Sequence, residues 1–437
     1  MSDKKPRICV NKDLSLADQH IAISIEGLNA FQRVSLYAKI ILPNEAAFES
    51  ISNYIADSSG RICLQSDKSC GGTYEGVWPM GPLSSMVPSS TNERKYERFL
   101  IKDPMQPFTV HLQVYDTFIS EVDSVPRMKH KLLTQHDIIR TYAAPGVSEI
   151  EIWEGRIRGT LYIPCGSGKF PGVISMSGGY PGAMKHKAAL LASRGFVALA
   201  LKFFGADDLP GNFQQLDLGY FVEAAKFLKN HERVTASNGV GIIANCSGAS
   251  LALATASCAP YGLIGCVVAI SGWIHCFGHY WYEDQKWNPS SSMKKIKMTI
   301  ETNSDGIVEW RYDVAPIMFK EIPEEGSHFA FYKRLHTAYM FVYGGKDGYF
   351  RDTPEFVKMN KNLLISAKHP AYKFLFYQDA GHLIEHAFSP LAKVAWTFHE
   401  PHLNGGEQPG HGLAQEDSWP KILRFAYDNL TTNQNKL

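Results

Sequence analysis

Apolar and polar positions follow two different rhythms along this chain. Up to about residue 143 the apolar residues recur at period two in short runs: Ile21-Ala22-Ile23-Ser24-Ile25, Val34-Ser35-Leu36-Tyr37-Ala38-Lys39-Ile40 and Phe108-Thr109-Val110-His111-Leu112-Gln113-Val114. Alternation with few helical stretches predicts an antiparallel sandwich. From about residue 144 onward, continuous apolar runs alternate with helical segments, the pattern of a mostly parallel sheet in an α/β domain. Predicted strands include Val173–Met176, Gly239–Ile243, Ala338–Tyr343 and Lys373–Tyr377, and predicted helices Ala183–Arg194 and Ala249–Ala254. At 437 residues the chain is long for one core, so the change of rhythm reads as a domain boundary, 1–143 and 144–437. Between Trp273 and Tyr332 the rhythm breaks in a stretch rich in aromatics, Lys and Ser, including Tyr280-Trp281-Tyr282 and Met293-Lys294-Lys295-Ile296-Lys297. It reads either as a cap over a site or as a decorated surface loop.

One turn carries candidate chemistry. Ala244-Asn245-Cys246-Ser247-Gly248 joins the β-type run Gly239–Ile243 to a helix of small residues. A nucleophile at a sharp strand-to-helix turn, with small residues two positions either side, is a nucleophile elbow. Bulky flanks would collide in so tight a turn. With Cys246 at the tip the flanks are Ala244 and Gly248; with Ser247 they would be Asn245 and Ala249, and Asn would crowd it. Cys246 therefore fits the register better. The plain alternative is a buried structural cysteine.

A nucleophile needs a base, and the base an orienting acid; in this arrangement the chain order is nucleophile, acid, histidine. Asp347 follows the predicted strand ending at Tyr343 on a glycine-flanked loop, and His382 closes the loop Gln378-Asp379-Ala380-Gly381-His382 after the next strand. Each lies past the C-terminal end of a predicted strand, the edge where open α/β sheets bind ligands. Rivals exist. Asp379 shares the histidine's loop, Asp352 and Asp305 read as solvated or capping residues, and His386 and His411 are alternative bases. For the oxyanion, the backbone N–H of Ser247 is one expected donor, with Gly178 or Gly179 in Ser177-Gly178-Gly179-Tyr180-Pro181-Gly182 supplying another.

Several motifs in order make the chain similar to the acyl-CoA thioesterase / bile acid-CoA:amino acid N-acyltransferase family. They include Gly71-Gly72-Thr73-Tyr74-Glu75-Gly76, Trp78-Pro79-Met80-Gly81, Gly155–Leu161, Leu190–Phe196 and Asp208-Leu209-Pro210. The elbow, Gly381-His382-Leu383-Ile384-Glu385, Gly405-Gly406-Glu407 and His411–Trp419 continue the match. The resemblance implies an immunoglobulin-like N-terminal domain, a C-terminal α/β-hydrolase domain, and a triad on Cys246, Asp347 and His382. Thioesterase members usually carry serine at the elbow and the N-acyltransferase cysteine. This chain departs from the thioesterase pattern there, and has Ala244 where Gly is usual.

Composition narrows the rest. A formal net charge of +1, with no dense basic tract, argues against a nucleic-acid partner. Eight cysteines without paired metal spacing, and no signal peptide, read as reduced thiols in an intracellular compartment. The apolar run Leu263–Ile274 is too short to span a membrane. Asn435-Lys436-Leu437 resembles a peroxisomal Ser-Lys-Leu signal with one substitution, leaving a cytoplasmic or peroxisomal location. His275 and His279 have an i, i+4 spacing that can bind metal on a helix, but no third ligand is evident and no metal is expected. Lys185-His186-Lys187 reads as a solvated helix face that could alternatively meet coenzyme A phosphates. The resulting expectation is an acyl-CoA thioesterase needing no cofactor, since coenzyme A belongs to the substrate. An amino acid acceptor in place of water is the alternative. A non-catalytic lipid-binding relative and a carboxylesterase or peptidase are further readings.

Overall fold

The computed structural model describes residues 5–122, 130–289, 299–311, 326–350, 352–397 and 399–431. The stretch 293–297 and the C-terminal Asn435-Lys436-Leu437, singled out in the sequence, lie outside the described residues. The largest sheet contains β1 (Ser148–Glu154), β2 (Ile157–Ile163), β3 (Phe170–Met176), β4 (Val197–Lys202), β5 (Val240–Asn245), β6 (Ile264–Ile270), β7 (Ala338–Gly344) and β8 (Tyr372–Tyr377). They stand in the order 1-2-4-3-5-6-7-8. β2 pairs antiparallel with β1 and with β4, and every neighbouring pair from β4 to β8 is parallel. The α/β class and the α/β-hydrolase-like order match the expectation.

The central strands β5, β6 and β7 are buried at every residue, because helices cover both faces of the sheet. Period-two alternation sorts their side chains. On β6 and β7, Val268, Ile270, Met340 and Val342 join the core beneath α1 (Lys185–Ser193) and α5 (Gly410–Leu430). On the same strands Val267, Ala269, Tyr339, Phe341 and Tyr343 join the core beneath α2 (Gly219–Asn230), α3 (Cys246–Cys258) and α4 (Thr353–Ser366). The parallel strands direct their C-terminal ends to one edge, which is where Ser177, Cys246, Ser271, Asp347 and His382 follow β3, β5, β6, β7 and β8.

The preceding residues form a six-stranded sheet in the order Leu14–Leu16, Leu132–Thr141, Phe108–Tyr115, Arg33–Ile41, Ala47–Ile55 and Val87–Pro88. Its pairings are antiparallel except for the parallel Leu14–Leu16 edge. A three-stranded antiparallel sheet, Arg7–Val10, Ile23–Glu26 and Ile62–Cys63, shares its core through Ile8, Ile23, Ile25 and Ile62. Alternation does not leave a wet face on Arg33–Ile41, whose residues Val34 to Ala38 are all buried. The polar side is covered by another segment: Ser35 Oγ donates to the Thr117 carbonyl at 2.7 Å, and Tyr37 packs with Ile51 and Ile119.

The same core continues from these sheets into α1 and α5, so the N-terminal residues sit on the α1/α5 side of the large sheet. Polar bonds fix the joint. The buried Asp18 carboxylate accepts from Arg194 Nη2 at 2.6 Å and Nε at 2.9 Å, and from Trp419 Nε1 at 2.7 Å. Trp78 Nε1 donates to Glu416 at 2.6 Å, tying the Trp78–Gly81 motif to the His411–Trp419 motif. Asp18→Ala leaves three buried or half-buried donors without their acceptor, and should lower unfolding free energy by about 3 kcal/mol in urea denaturation. A loss below about 0.5 kcal/mol, the range of ordinary surface substitutions, would remove Asp18 from the joint.

Candidate active site

β5 reaches Asn245 in extended conformation (φ −114°, ψ 148°), and α3 begins at the next residue. Cys246 makes the turn with φ +53°, a left-handed backbone that is strained for a residue with a side chain. The loop after β3 explains why small neighbours are needed. A Cβ on Gly248 would sit 1.9 Å from the Ser177 carbonyl oxygen, and one on Gly178 would sit 2.6 Å from Cys246 Cβ. The elbow and the Gly178 loop therefore touch through backbone, which brings the Gly178 segment against the nucleophile. The N–H groups of Gly178 and Gly179 have no backbone acceptor among the described residues. Ser247 begins the first turn of α3, whose N-terminal N–H groups and dipole favour negative charge at Cys246 and at a developing oxyanion.

His382 stands beside the elbow. Its Nδ1 is 2.8 Å from Asp347 Oδ2, with both side chains fully buried. Asp347 Oδ1 accepts from the N–H groups of Tyr349 (2.8 Å) and Phe350 (2.9 Å), so the carboxylate is aimed by its own loop. The imidazole is also held by its backbone. Its N–H donates to the Asn404 carbonyl at 2.8 Å, and its carbonyl accepts from Ser271 Oγ at 2.8 Å. The Tyr349 ring lies 4.5 Å from the imidazole, centroid to centroid. Nε2 is buried with no hydrogen-bond partner among the described residues, and the His382 and Cys246 side chains are coupled electrostatically.

Electrostatics join the three. Burial pushes the Cys246 thiol up, but the adjacent His382 charge outweighs it and the net pKa is lowered. Burial disfavours the His382 imidazolium, yet the Asp347 carboxylate and the thiolate outweigh that and raise its pKa. Both shifts run toward a thiolate beside an imidazolium, the direction that makes a thiol more reactive.

The rivals stand elsewhere. Asp379 pairs with Lys346 at 2.9 Å, Asp352 precedes α4, and Asp305 sits in the Asn303–Ile307 turn. His411 Nδ1 accepts from the Gly381 N–H at 3.0 Å, and burial lowers its pKa to about 4, so it props the histidine loop as a neutral ring. His386 is buried against Tyr142, 3.2 Å from its hydroxyl. His275 is buried and His279 is on a strand, 2.7 Å from Asn288, so the two do not share a helical face. Among the described residues no group of three His, Cys, Asp or Glu side chains could hold a metal ion.

The solvated reading of Lys185-His186-Lys187 is corrected by the structure: His186 and Lys187 are buried. The N-terminal sheets and the histidine loop cover this face of α1. Lys187 Nζ bonds Asn245 Oδ1 at 2.7 Å and pairs with Glu385 at 2.8 Å, which couples α1 to the residue preceding the nucleophile.

A cavity of about 360 Å³ opens over Cys246 and His382. Phe213, Trp273, Phe277, Trp310 and Phe350 form aromatic wall, while Arg98, Asn245, Glu385 and Asn404 supply polar atoms. The irregular stretch after Trp273 thus does contribute to the site, though through Trp273, Phe277 and Trp310. Tyr280 is instead buried against Phe277 and Phe329, and Trp281 is exposed. Arg98, Trp396 and Asn404 went unnoticed in the sequence, since each reaches the cavity by tertiary contact alone. Glu385 lay within the histidine-loop motif, which was the available signal.

Residues 216–432 match the family model for the C-terminal part of BAAT / acyl-CoA thioester hydrolase, and residues 18–154 match that for the acyl-CoA thioester hydrolase/BAAT N-terminal region. The bile acid-CoA:amino acid N-acyltransferase of Mus musculus is 34% identical over 422 residues, covering 95% of this chain and 96% of that protein. Its Homo sapiens counterpart is 35% identical over 420 residues, with the same coverages of 95% and 96%. Acyl-coenzyme A thioesterase 3 of Mus musculus is 32% identical over 422 residues, covering 95% of this chain and 92% of that protein. The chain belongs to the acyl-CoA thioester hydrolase/BAAT family.

The lowered thiol pKa has a measurable sign. Thiolate should persist at pH values below the ordinary thiol range, so Cys246 alkylation by iodoacetamide, followed by peptide mass spectrometry, should remain fast there. His382→Ala removes the imidazolium while burial remains, and should shift the alkylation profile to higher pH. A profile unchanged by that substitution would show that the two groups are not coupled.

Proposed function

We propose that this chain, as a member of that family, cleaves acyl-CoA thioesters through an acyl-enzyme on Cys246. The observation that carries the reading is the Asp347–His382–Cys246 line beneath an aromatic-walled cavity. The Cys246 thiolate adds to the thioester carbonyl carbon, and the carbonyl π electrons move to oxygen. N–H groups of Ser247 and of Gly178 or Gly179 hold that oxyanion. As the tetrahedral adduct collapses, the bond to coenzyme A sulfur breaks and the His382 imidazolium supplies the proton to the leaving thiolate. His382 is then neutral and takes a proton from water as it attacks the acyl-enzyme. Collapse releases a carboxylic acid and restores the thiolate–imidazolium pair. Asp347 keeps Nδ1 protonated and Nε2 facing the chemistry throughout. Coenzyme A is part of the substrate, and no resident cofactor is invoked.

Water is the acceptor in the primary reading. An amino acid acceptor is favoured by one observation, the cysteine nucleophile, because an acyl thioester reacts with amines far more readily than an oxygen ester does. We also read residues 1–143 as an immunoglobulin-like sandwich and 144–437 as the catalytic domain. The two N-terminal sheets, whose strands all precede residue 143 and are separate from the large sheet, support that division.

Free-CoA release from palmitoyl-CoA, with and without glycine or taurine, tests the proposal. Cys246→Ala should reduce release by roughly 10³-fold or more, by analogy with loss of an acyl-transfer nucleophile. Full activity in that variant would remove Cys246 from the mechanism. Free fatty acid as sole product, unaffected by amine, assigns hydrolysis; an N-acyl amino acid assigns transfer.

A further inference from the structure

At the polar end of the cavity a buried lysine and a partly exposed arginine share one buried carboxylate. Glu385 lies 2.8 Å from Lys187 Nζ and 2.8 Å from Arg98 Nη2, and its pKa is lowered because these charges outweigh burial. Burial holds the neighbouring His186 neutral, with a pKa of about 3. Lys187 plus Arg98 less Glu385 therefore leaves one positive charge uncompensated within the cluster. Lys187 spends its remaining polar contact on Asn245. Arg98 does not: only Nη2 is bonded, and Nε and Nη1 have no hydrogen-bond partner among the described residues. Its side chain is 16% exposed. It lines the same cavity as Cys246 and, among the described residues there, is the one Lys or Arg.

A guanidinium with free donors, held rigidly by a carboxylate behind it, is a receptor for a small anion. The charge excess favours that anion over a neutral group. The chain places this receptor in the same cavity as the Cys246 thiol through a contact between distant parts of the sequence. Arg98 comes from the segment between Val87–Pro88 and Phe108–Tyr115 of the N-terminal sheet, and crosses onto the catalytic domain's cavity.

We propose that Arg98 binds the carboxylate or sulfonate of an amino acid acceptor and so presents its amine to the Cys246 acyl-enzyme. This rests on the acyl-enzyme reading above and specifies its acceptor. The amine lone pair forms the new C–N bond, the C–S bond to Cys246 breaks, and the amine proton passes to His382 Nε2. The products are an N-acyl amino acid and the restored thiolate–imidazolium pair. Glu385 acts as a positioning residue that holds the guanidinium, and Lys187 in turn holds Glu385.

Steady-state kinetics with glycine and taurine as acceptors, against methylamine as an amine lacking the anion, tests this on the full chain. In the wild type, glycine and taurine should accelerate CoA release and methylamine at equal free-amine concentration should not. Arg98→Gln should raise the KM for glycine by roughly tenfold to a hundredfold, the cost of losing a charge-assisted pair, while the KM for acyl-CoA moves little. Arg98→Lys should recover part of the loss. A second readout does not depend on turnover: Cys246 alkylation by iodoacetate, which carries a carboxylate, relative to neutral iodoacetamide. That rate ratio should fall in Arg98→Gln.

An unchanged glycine KM together with an unchanged alkylation ratio overturns the proposal. So does a KM effect that falls on acyl-CoA and disappears with the acyl-pantetheine thioester, since Arg98 would then read the phosphates of coenzyme A. Turnover that ignores glycine and taurine in the wild type also overturns it, while Cys246-dependent CoA release would leave the acyl-enzyme reading standing. CoA release that survives Cys246→Ala would instead fail that reading.

Discussion

The site depends on one steric constraint: the backbone after β3 and the backbone after β5 lie in contact. Ser177 O occupies the space that a Cβ on Gly248 would need, and the Cys246 Cβ occupies that of Gly178. This contact holds Cys246 at φ +53°, a conformation that costs on the order of 1–3 kcal/mol and persists only when surroundings over-determine it. It also sets the first turn of α3 and the Gly178 loop on either side of one small volume. A larger residue at either glycine would push the Gly178 loop away from Cys246.

Around that contact, burial and charge are balanced locally. Asp347, His382 and Cys246 are desolvated together, and each charge is tolerated because the next one opposes it. The second group, Lys187–Glu385–Arg98, reaches the elbow through the bond from Lys187 to Asn245. Neighbouring histidines, His186 and His386, are pushed toward neutrality by the same burial. The residues around Cys246 thus divide into those kept ionised by an opposite charge and those pushed toward neutrality by burial.

The N-terminal sheets are part of this balance. They share a core with α1 and α5, contribute Arg98 to the cavity, and bury Lys187 and His186 that would otherwise face water. The motifs Trp78–Gly81 and His411–Trp419, distant in the chain, meet through the Trp78–Glu416 hydrogen bond. Cys246, Asp347 and His382 come from one half of the molecule, but the polar end of the cavity needs both.

Short-range features of the chain were enough to single out Cys246, Asp347 and His382, which the structure gathers at one sheet edge with His382 bonded to Asp347. Each lies directly after an apolar strand, and parallel strands bring such loops to one edge whatever the details of packing. Period-two and helical rhythm likewise sufficed for the α/β class, and element ends moved only by a residue or a few, as with α1 at Lys185–Ser193. Other properties depended on neighbours remote in sequence. Lys187 reads as a solvated helix residue until the N-terminal sheets and Glu385 enclose it. The stretch holding Tyr280 and Trp281 reads as a cap or as a surface loop until the fold turns Trp273, Phe277 and Trp310 to the cavity. Local pattern determines where a backbone turns and which residue stands at the turn; burial and charge pairing are sums over contacts from the whole chain, so only the tertiary structure decided which side chains face the substrate.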